Sequence, residues 1–145
     1  MSFDDWLRSG WLKNHETSRQ EIADLFAVAD RDLADCASKG LSPDWKLNIA
    51  YNAALQMATA ALAASGYRAD RTAHHFRTIQ SLALTIRADA SLVRQLDQFR
   101  KKRNLGAYER AGAVSDREAS EIAELAKKLR TEVRNWRQAR HPKLV

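Results

Sequence analysis

Three side chains able to grip an anion fall together at Arg103, Asn104 and Tyr108, inside the stretch Gln98 to Glu109, Gln-Phe-Arg-Lys-Lys-Arg-Asn-Leu-Gly-Ala-Tyr-Glu. On a helix they span about one and a half turns. A guanidinium presents a planar fork of donors to phosphate or carboxylate, a carboxamide adds a donor and an acceptor, and a phenol donates one proton. Arg103 closes a run of four cations, and Lys101 and Lys102 raise the positive potential beside it. Lying four residues after Phe99, Arg103 emerges from the inward stripe of its helix, whereas Lys101 and Lys102 are expected to face water. The alternative is that Arg103, Asn104 and Tyr108 cap helix ends and bond to one another.

The elements that must position this group read as helices. Ser2 to Arg8 opens with Asp4 and Asp5, which suit a helix N-terminus, and Gly10 stops it. Trp6, Leu7, Trp11 and Leu12 form an apolar lid over one end of a bundle. From Glu16 to Ser38, Ile22, Phe26, Ala29, Leu33 and Cys36 repeat at helical spacing, and Gly40 closes the segment. Ser42-Pro43 is a helix start signal, and the following segment to Ser65 is apolar around most of its circumference, which predicts the central helix. Tyr51 and Asn52 interrupt that surface, either as hydrogen-bonded core residues or, for Tyr51, as part of the anion site. After the polar loop Gly66 to Arg71, a helix is expected over 72–86 with His75, Ile79, Leu82 and Ile86 inward. His74 and His75 point about 100° apart and lack further ligands, so no metal is expected. One of them is expected to be exposed and the other buried near the loop, where His75 is a candidate ligand of the anion site.

A helix over 89–103 buries Leu92, Leu96 and Phe99. Ser115-Asp116-Arg117-Glu118 is a capping box opening the last helix, whose Ala119, Ile122, Ala126, Leu129, Val133 and Trp136 form a long seam. Its outer face carries Lys127, Arg130, Arg134 and Arg137. His141-Pro142 ends it, and the remaining residues are expected to fray. The sum is an all-α domain over residues 1–145, with a short N-terminal helix at 2–9 and a bundle of four main helices within 16–140.

Composition sets the outer bounds. A chain of 145 residues supports one core, and 45% hydrophobic with 29% charged residues is ordinary for a soluble domain. Two prolines and five glycines disfavour a loop-rich or all-β fold. The formal charge of +6 favours a polyanionic partner or simply a solvated basic surface. Cys36 is alone, which excludes an internal disulfide, and its place on an apolar stripe makes it a core residue. No secretory signal or membrane span is evident, since the apolar segment 45–64 carries Lys46, Asn48, Asn52 and Gln56, so a cytoplasmic location is expected. Glycine-rich phosphate loops, nucleophile elbows and zinc motifs are all missing.

Taken in order, Tyr51-Asn52-Ala53-Ala54-Leu55 to Leu62, Gly66-Tyr67-Arg68, His74-His75, Ile79, Leu82 and Arg103-Asn104-x-x-x-Tyr108 resemble the HEPN superfamily of small helical bundles. The resemblance covers most of the chain from the second helix onward. It implies an up-and-down bundle, a homodimer whose two copies line one cleft, and no cofactor. It also implies RNA or a nucleotide as ligand and a toxin-antitoxin-like or stress-defence setting with a nucleotidyltransferase partner. HEPN ribonucleases carry an arginine, a polar residue, three variable positions and a histidine. Arg103 and Asn104 match the first two elements, and Tyr108 stands where the histidine would be. A phenol with an ordinary pKa near 10 is a poor base at neutral pH but a good hydrogen-bond donor. The resemblance therefore implies anion binding by Lys101, Lys102, Arg103, Asn104, Tyr108, His75 and Tyr51 more directly than catalysis by Arg103, Asn104 and Tyr108. A metal-independent RNA endonuclease and a non-catalytic interaction module are the alternatives, and His74 or His75 would fill the vacant role if the fold brings it to Arg103.

Overall fold

The computed structural model describes residues 2–108 and 114–145, except for the side chains of residues 104–108. Helix α1 (Phe3–Arg8) leads into a short strand β1 (Leu12–Asn14), followed by α2 (Arg19–Asp35) and α3 (Pro43–Ala64). Strand β2 (Tyr67–Ala69) precedes α4 (His74–Gln80) and a 3₁₀ turn, Ser81–Ala83. Helices α5 (Ala90–Tyr108) and α6 (Asp116–Arg140) complete the chain, with a last 3₁₀ turn at Pro142–Leu144.

The expected central helix is α3. Ser42 caps it by accepting a hydrogen bond from Trp45 N, and Pro43 pre-sets its first turn. Ala50, Ala53, Ala54, Met57, Ala58 and Ala61 are fully buried. Their small side chains let α6 and α2 pack closely along α3, with α5 making a smaller contact. Helix α6 presents Ala119, Ile122, Ala126, Leu129 and Val133 to this core, as its spacing predicts. Its N-terminus is the expected capping box, Ser115 and Glu118 each satisfying the other's backbone N–H.

Several local expectations change. Glycine at position 10 and position 66, with φ of +76° and +97°, turns the chain so that β1 and β2 pair antiparallel, Leu12 opposite Ala69. The polar loop after Gly66 is thus partly a strand, and the all-α domain carries one two-stranded ribbon. The ribbon and α1 bury Trp6, Leu12 and Ala69 against Leu62, which closes one end of α3. On α2 it is Asp32, not Leu33, that is buried. Its carboxylate accepts from Asn52 Nδ2 at 2.6 Å and from Arg31, so a charged group fixes how α2 sits on α3.

The helix expected over 72–86 is shorter. Thr78, Ser81 and Thr85 are buried, and their hydroxyls donate back to the carbonyls of His74, Thr78 and Ser81. Such bonds compete with helix propagation, which accounts for the passage into a 3₁₀ turn. The turn is closed by Ala88 N donating to Leu82 O at 3.1 Å, with Arg87 at φ +55° in the position glycine usually takes. A left-handed arginine costs on the order of 1–2 kcal/mol.

The face of α6 expected to be solvated is partly an interface. Arg130 forms a two-pronged ion pair with Asp30 of α2, and Arg137 lies 4.4 Å from the Phe26 ring centroid. The C-terminal residues expected to fray instead make the turn Pro142–Leu144.

Candidate functional site

Three elements bring the candidate residues together. The N-terminal half of α3 supplies Asn48 and Tyr51, which lie one turn apart and so share a face. The start of α4 supplies His75, and α5 supplies Arg100 to Arg103. Helix α5 is started by Asp89, whose carboxylate accepts from Leu92 N at 2.8 Å. It is anchored by Val93, Leu96 and Phe99. Phe99 fixes the face from which Arg103 leaves the helix four residues later, as the spacing predicts.

The four cations of the run are not equivalent. Arg100 Nε and Lys101 Nζ both engage Asp97, at 2.7 Å and 3.5 Å. Lys102 is not simply solvated but reaches Glu118 of α6 at 2.8 Å. Arg103 Nε donates to an amide oxygen, Asn48 Oδ1, at 3.0 Å. Among the described residues no carboxylate lies within ion-pair distance of Arg103. Asn48 is oriented for this by donating its own Nδ2 proton to Asp44 O at 3.2 Å, which turns Oδ1 toward the guanidinium. An amide holds the guanidinium in place without neutralising its charge.

Beneath Arg103 lies Tyr51, whose ring centroid is 5.4 Å from the guanidinium carbon. Tyr51 is completely buried, and its hydroxyl has no hydrogen-bond partner among the described residues. Burial pushes its pKa up to about 12 against the lowering influence of Arg100 and Arg103. The phenol is therefore a proton donor, not a phenolate. Its neighbour Asn52 is the core amide bonded to Asp32, so the pair divides into one structural residue and one facing the site.

His75 also stands beside Tyr51, the two ring centroids 6.3 Å apart, and is half-buried, whereas His74 is exposed. Burial, and then the charges of Arg103, His74 and Arg100, hold the pKa of His75 below the usual histidine value. At neutral pH the imidazole is uncharged and can accept a proton or a hydrogen bond. Arg103 and His75 are thus both gathered at the Tyr51 ring.

The remaining expected residues are distributed differently. The backbone of Asn104 and Tyr108 continues α5, but their side chains lie outside the described residues. Lys101 and Lys102 flank the site already paired with carboxylates. Among the described residues no cluster of histidine, cysteine and carboxylate side chains is placed to hold a metal ion. No helix among them is long and apolar enough to cross a membrane.

One contributor escapes sequence reasoning. Asn48 registers there only as a polar group within an apolar segment, although its place one turn before Tyr51 was a usable signal. Trp45, three residues further back, is 63% exposed, an unusual position for an indole in a monomeric surface. A second aromatic feature borders the site. Arg77 lies 3.4 Å from the Trp11 ring centroid and 5.2 Å from that of Phe76, and Arg100 lies 5.4 Å from the Phe76 ring. Cations and ring faces therefore alternate from Trp11 toward Arg103.

Compared with protein-family models, curated proteins and solved structures, the chain matches none of them.

Proposed function

We propose that the protein is an HEPN-like RNA- or nucleotide-binding module whose phosphate ligand is held by Arg103. The observation that carries this reading is the bonding of Arg103: positioned by Asn48, resting on Tyr51, and carrying a charge beside Arg100 that no carboxylate among the described residues compensates. Guanidinium groups of this kind hold phosphate oxygens through two parallel hydrogen bonds. The alternating cations and rings from Trp11 to Arg100 suit a single strand, whose backbone follows positive charge while its bases meet aromatic faces. Asn104 and Tyr108 would complete the anion contacts, as the motif implies. By the same resemblance the protein would act as a homodimer, with the exposed Trp45 covered by the second copy. It would serve with a nucleotidyltransferase in a toxin-antitoxin-like or stress-defence system.

The test is retention of single-stranded RNA at low salt by the wild-type chain and by Arg103→Ala. Salt-sensitive binding that weakens by about tenfold or more in the variant, at unchanged helicity, supports the proposal. Equal binding by both proteins would remove Arg103 from the site.

His75 gives a specific reason to retain a second reading, a metal-independent RNA endonuclease. A neutral imidazole near Arg103 can take the proton of a ribose 2′-OH as its oxygen attacks the adjacent phosphorus. Arg103 would stabilise the added phosphate charge while the 5′-oxygen leaves and takes a proton from water, giving a 2′,3′-cyclic phosphate and a 5′-hydroxyl. RNA cleavage in EDTA that disappears in both His75→Ala and Arg103→Ala supports this second reading, and intact RNA with the wild-type protein eliminates it.

A further inference from the structure

A separate pocket of about 470 Å³ opens at the far end of the molecule, where α1, the C-terminus of α3, the turn after α4 and the end of α6 meet. That volume lies in the range of small-molecule sites. Asn48 and Ser65 are 17 residues apart on α3, so about 25 Å of helix separates this pocket from Arg103. Its floor is apolar, built from Phe3, Leu84 and Ile86, and its rim carries Arg87, Arg140 and His141 beside the indole of Trp136. Among the described residues no acidic side chain lines it. Neither Arg87 nor Arg140 has an ion-pair partner among the described residues.

The polar groups of the lining restrict what can enter. Ser65 and Thr85 also face the pocket, but each hydroxyl already donates its proton to a backbone carbonyl, Ala61 O and Ser81 O respectively. Donors toward a ligand therefore come from the two guanidinium groups and the imidazole. Arg87 is delivered by the left-handed turn after α4 and Arg140 by the last turn of α6, so two independent elements bring positive charge to one opening. The Trp136 and His141 rings lie 4.8 Å apart at 58°, presenting an edge and a face against which a planar group can rest.

We infer that this pocket binds a phosphate monoester bearing an aromatic ring, a mononucleotide in chemical class, with the phosphate between Arg87 and Arg140 and the ring against Trp136. Two guanidinium groups match the charge and the several acceptor oxygens of a phosphate monoester. The indole and the apolar floor account for the ring, which inorganic phosphate lacks.

The test is equilibrium binding of 5′-AMP to the full chain, followed by calorimetry, with adenosine and inorganic phosphate in parallel. Arg87→Asn removes the charge while keeping a residue that tolerates the left-handed backbone, and Arg140→Gln removes the second guanidinium without disturbing helix propensity. The inference predicts saturable AMP binding, with each substitution, and each truncated ligand, costing about tenfold or more. Arg103→Ala leaves in place the part of AMP binding that depends on Arg87 and Arg140, so failure here and failure of the Arg103 site are read separately. The inference is overturned if AMP shows no saturable binding, if adenosine or phosphate binds as tightly as AMP, or if both pocket variants retain full affinity.

Discussion

Arg103 differs from the three cations before it in what it is bonded to. Arg100, Lys101 and Lys102 face carboxylates, while Arg103 faces the Asn48 amide and the Tyr51 ring. Tyr51 is informative at the same scale, because a buried hydroxyl without a partner costs about 1–3 kcal/mol. Tyr51→Phe is therefore expected to keep or raise thermal stability by up to about 1 kcal/mol, read from denaturant midpoints. A clear loss of stability would reveal a bond to that hydroxyl and contradict its unpartnered state. Asn52→Ala should do the opposite, since it withdraws the 2.6 Å bond to the buried Asp32 carboxylate. A destabilisation of about 1–3 kcal/mol is expected from the same measurement. Sequence alone placed Tyr51 and Asn52 on the central helix but could not separate them. Which one bonds inward depends on the rotation of α3 against α2, and that is set by Asp32, a charged residue one position from where an apolar one was expected.

At the scale of elements, α5 and α6 are joined through Lys102 and the capping box. Glu118 accepts from Ser115 and pairs with Lys102, and the Lys102 bond, together with the Ser115 backbone, holds its carboxyl below the ordinary glutamate value of 4.5. A carboxylate whose folded pKa is depressed contributes stability above its unfolded pKa and loses it as pH falls through the folded one. Glu118→Gln should therefore lower the melting temperature at pH 7, with the gap to wild type shrinking below about pH 4.5. A gap independent of pH would assign the effect to the helix cap alone. The long helices were legible because their apolar spacing and caps are local: Ser42-Pro43, Ser115 with Glu118, and the seam of α6 all stand as read. The ribbon of β1 and β2 was not, because its partners are some fifty residues apart and each strand has three residues. Helix α4 fell short of its predicted length because Thr78, Ser81 and Thr85 turned inward, a choice made by packing and not by periodicity.

For the whole molecule, the half-buried His75 and His141 give a pH signature. Burial comes first among the causes that lower both His75 and His141, aided by neighbouring arginines. The unfolded chain then binds more protons than the folded one below the ordinary histidine value of 6.5, so stability falls as pH drops beneath it. Melting temperatures between pH 8 and pH 5 should decline for wild type and less steeply for His75→Gln. Parallel curves would show that His75 takes up protons equally in both states. The overall charge of +6 stands on a fold whose cations are unevenly used, with Arg130 clasping α2 and Lys102 clasping α6. Net charge alone did not distinguish a solvated surface from a binding one, since that depends on which cations the fold already occupies.

The most direct test of an available Arg103 is the salt dependence of single-stranded RNA binding, compared between wild type and Arg103→Ala. If Arg103 engages a phosphate, the slope of log affinity against log salt falls by about 0.7 in magnitude in the variant, along with the affinity at low salt. Identical slopes and affinities for the two proteins would contradict the account.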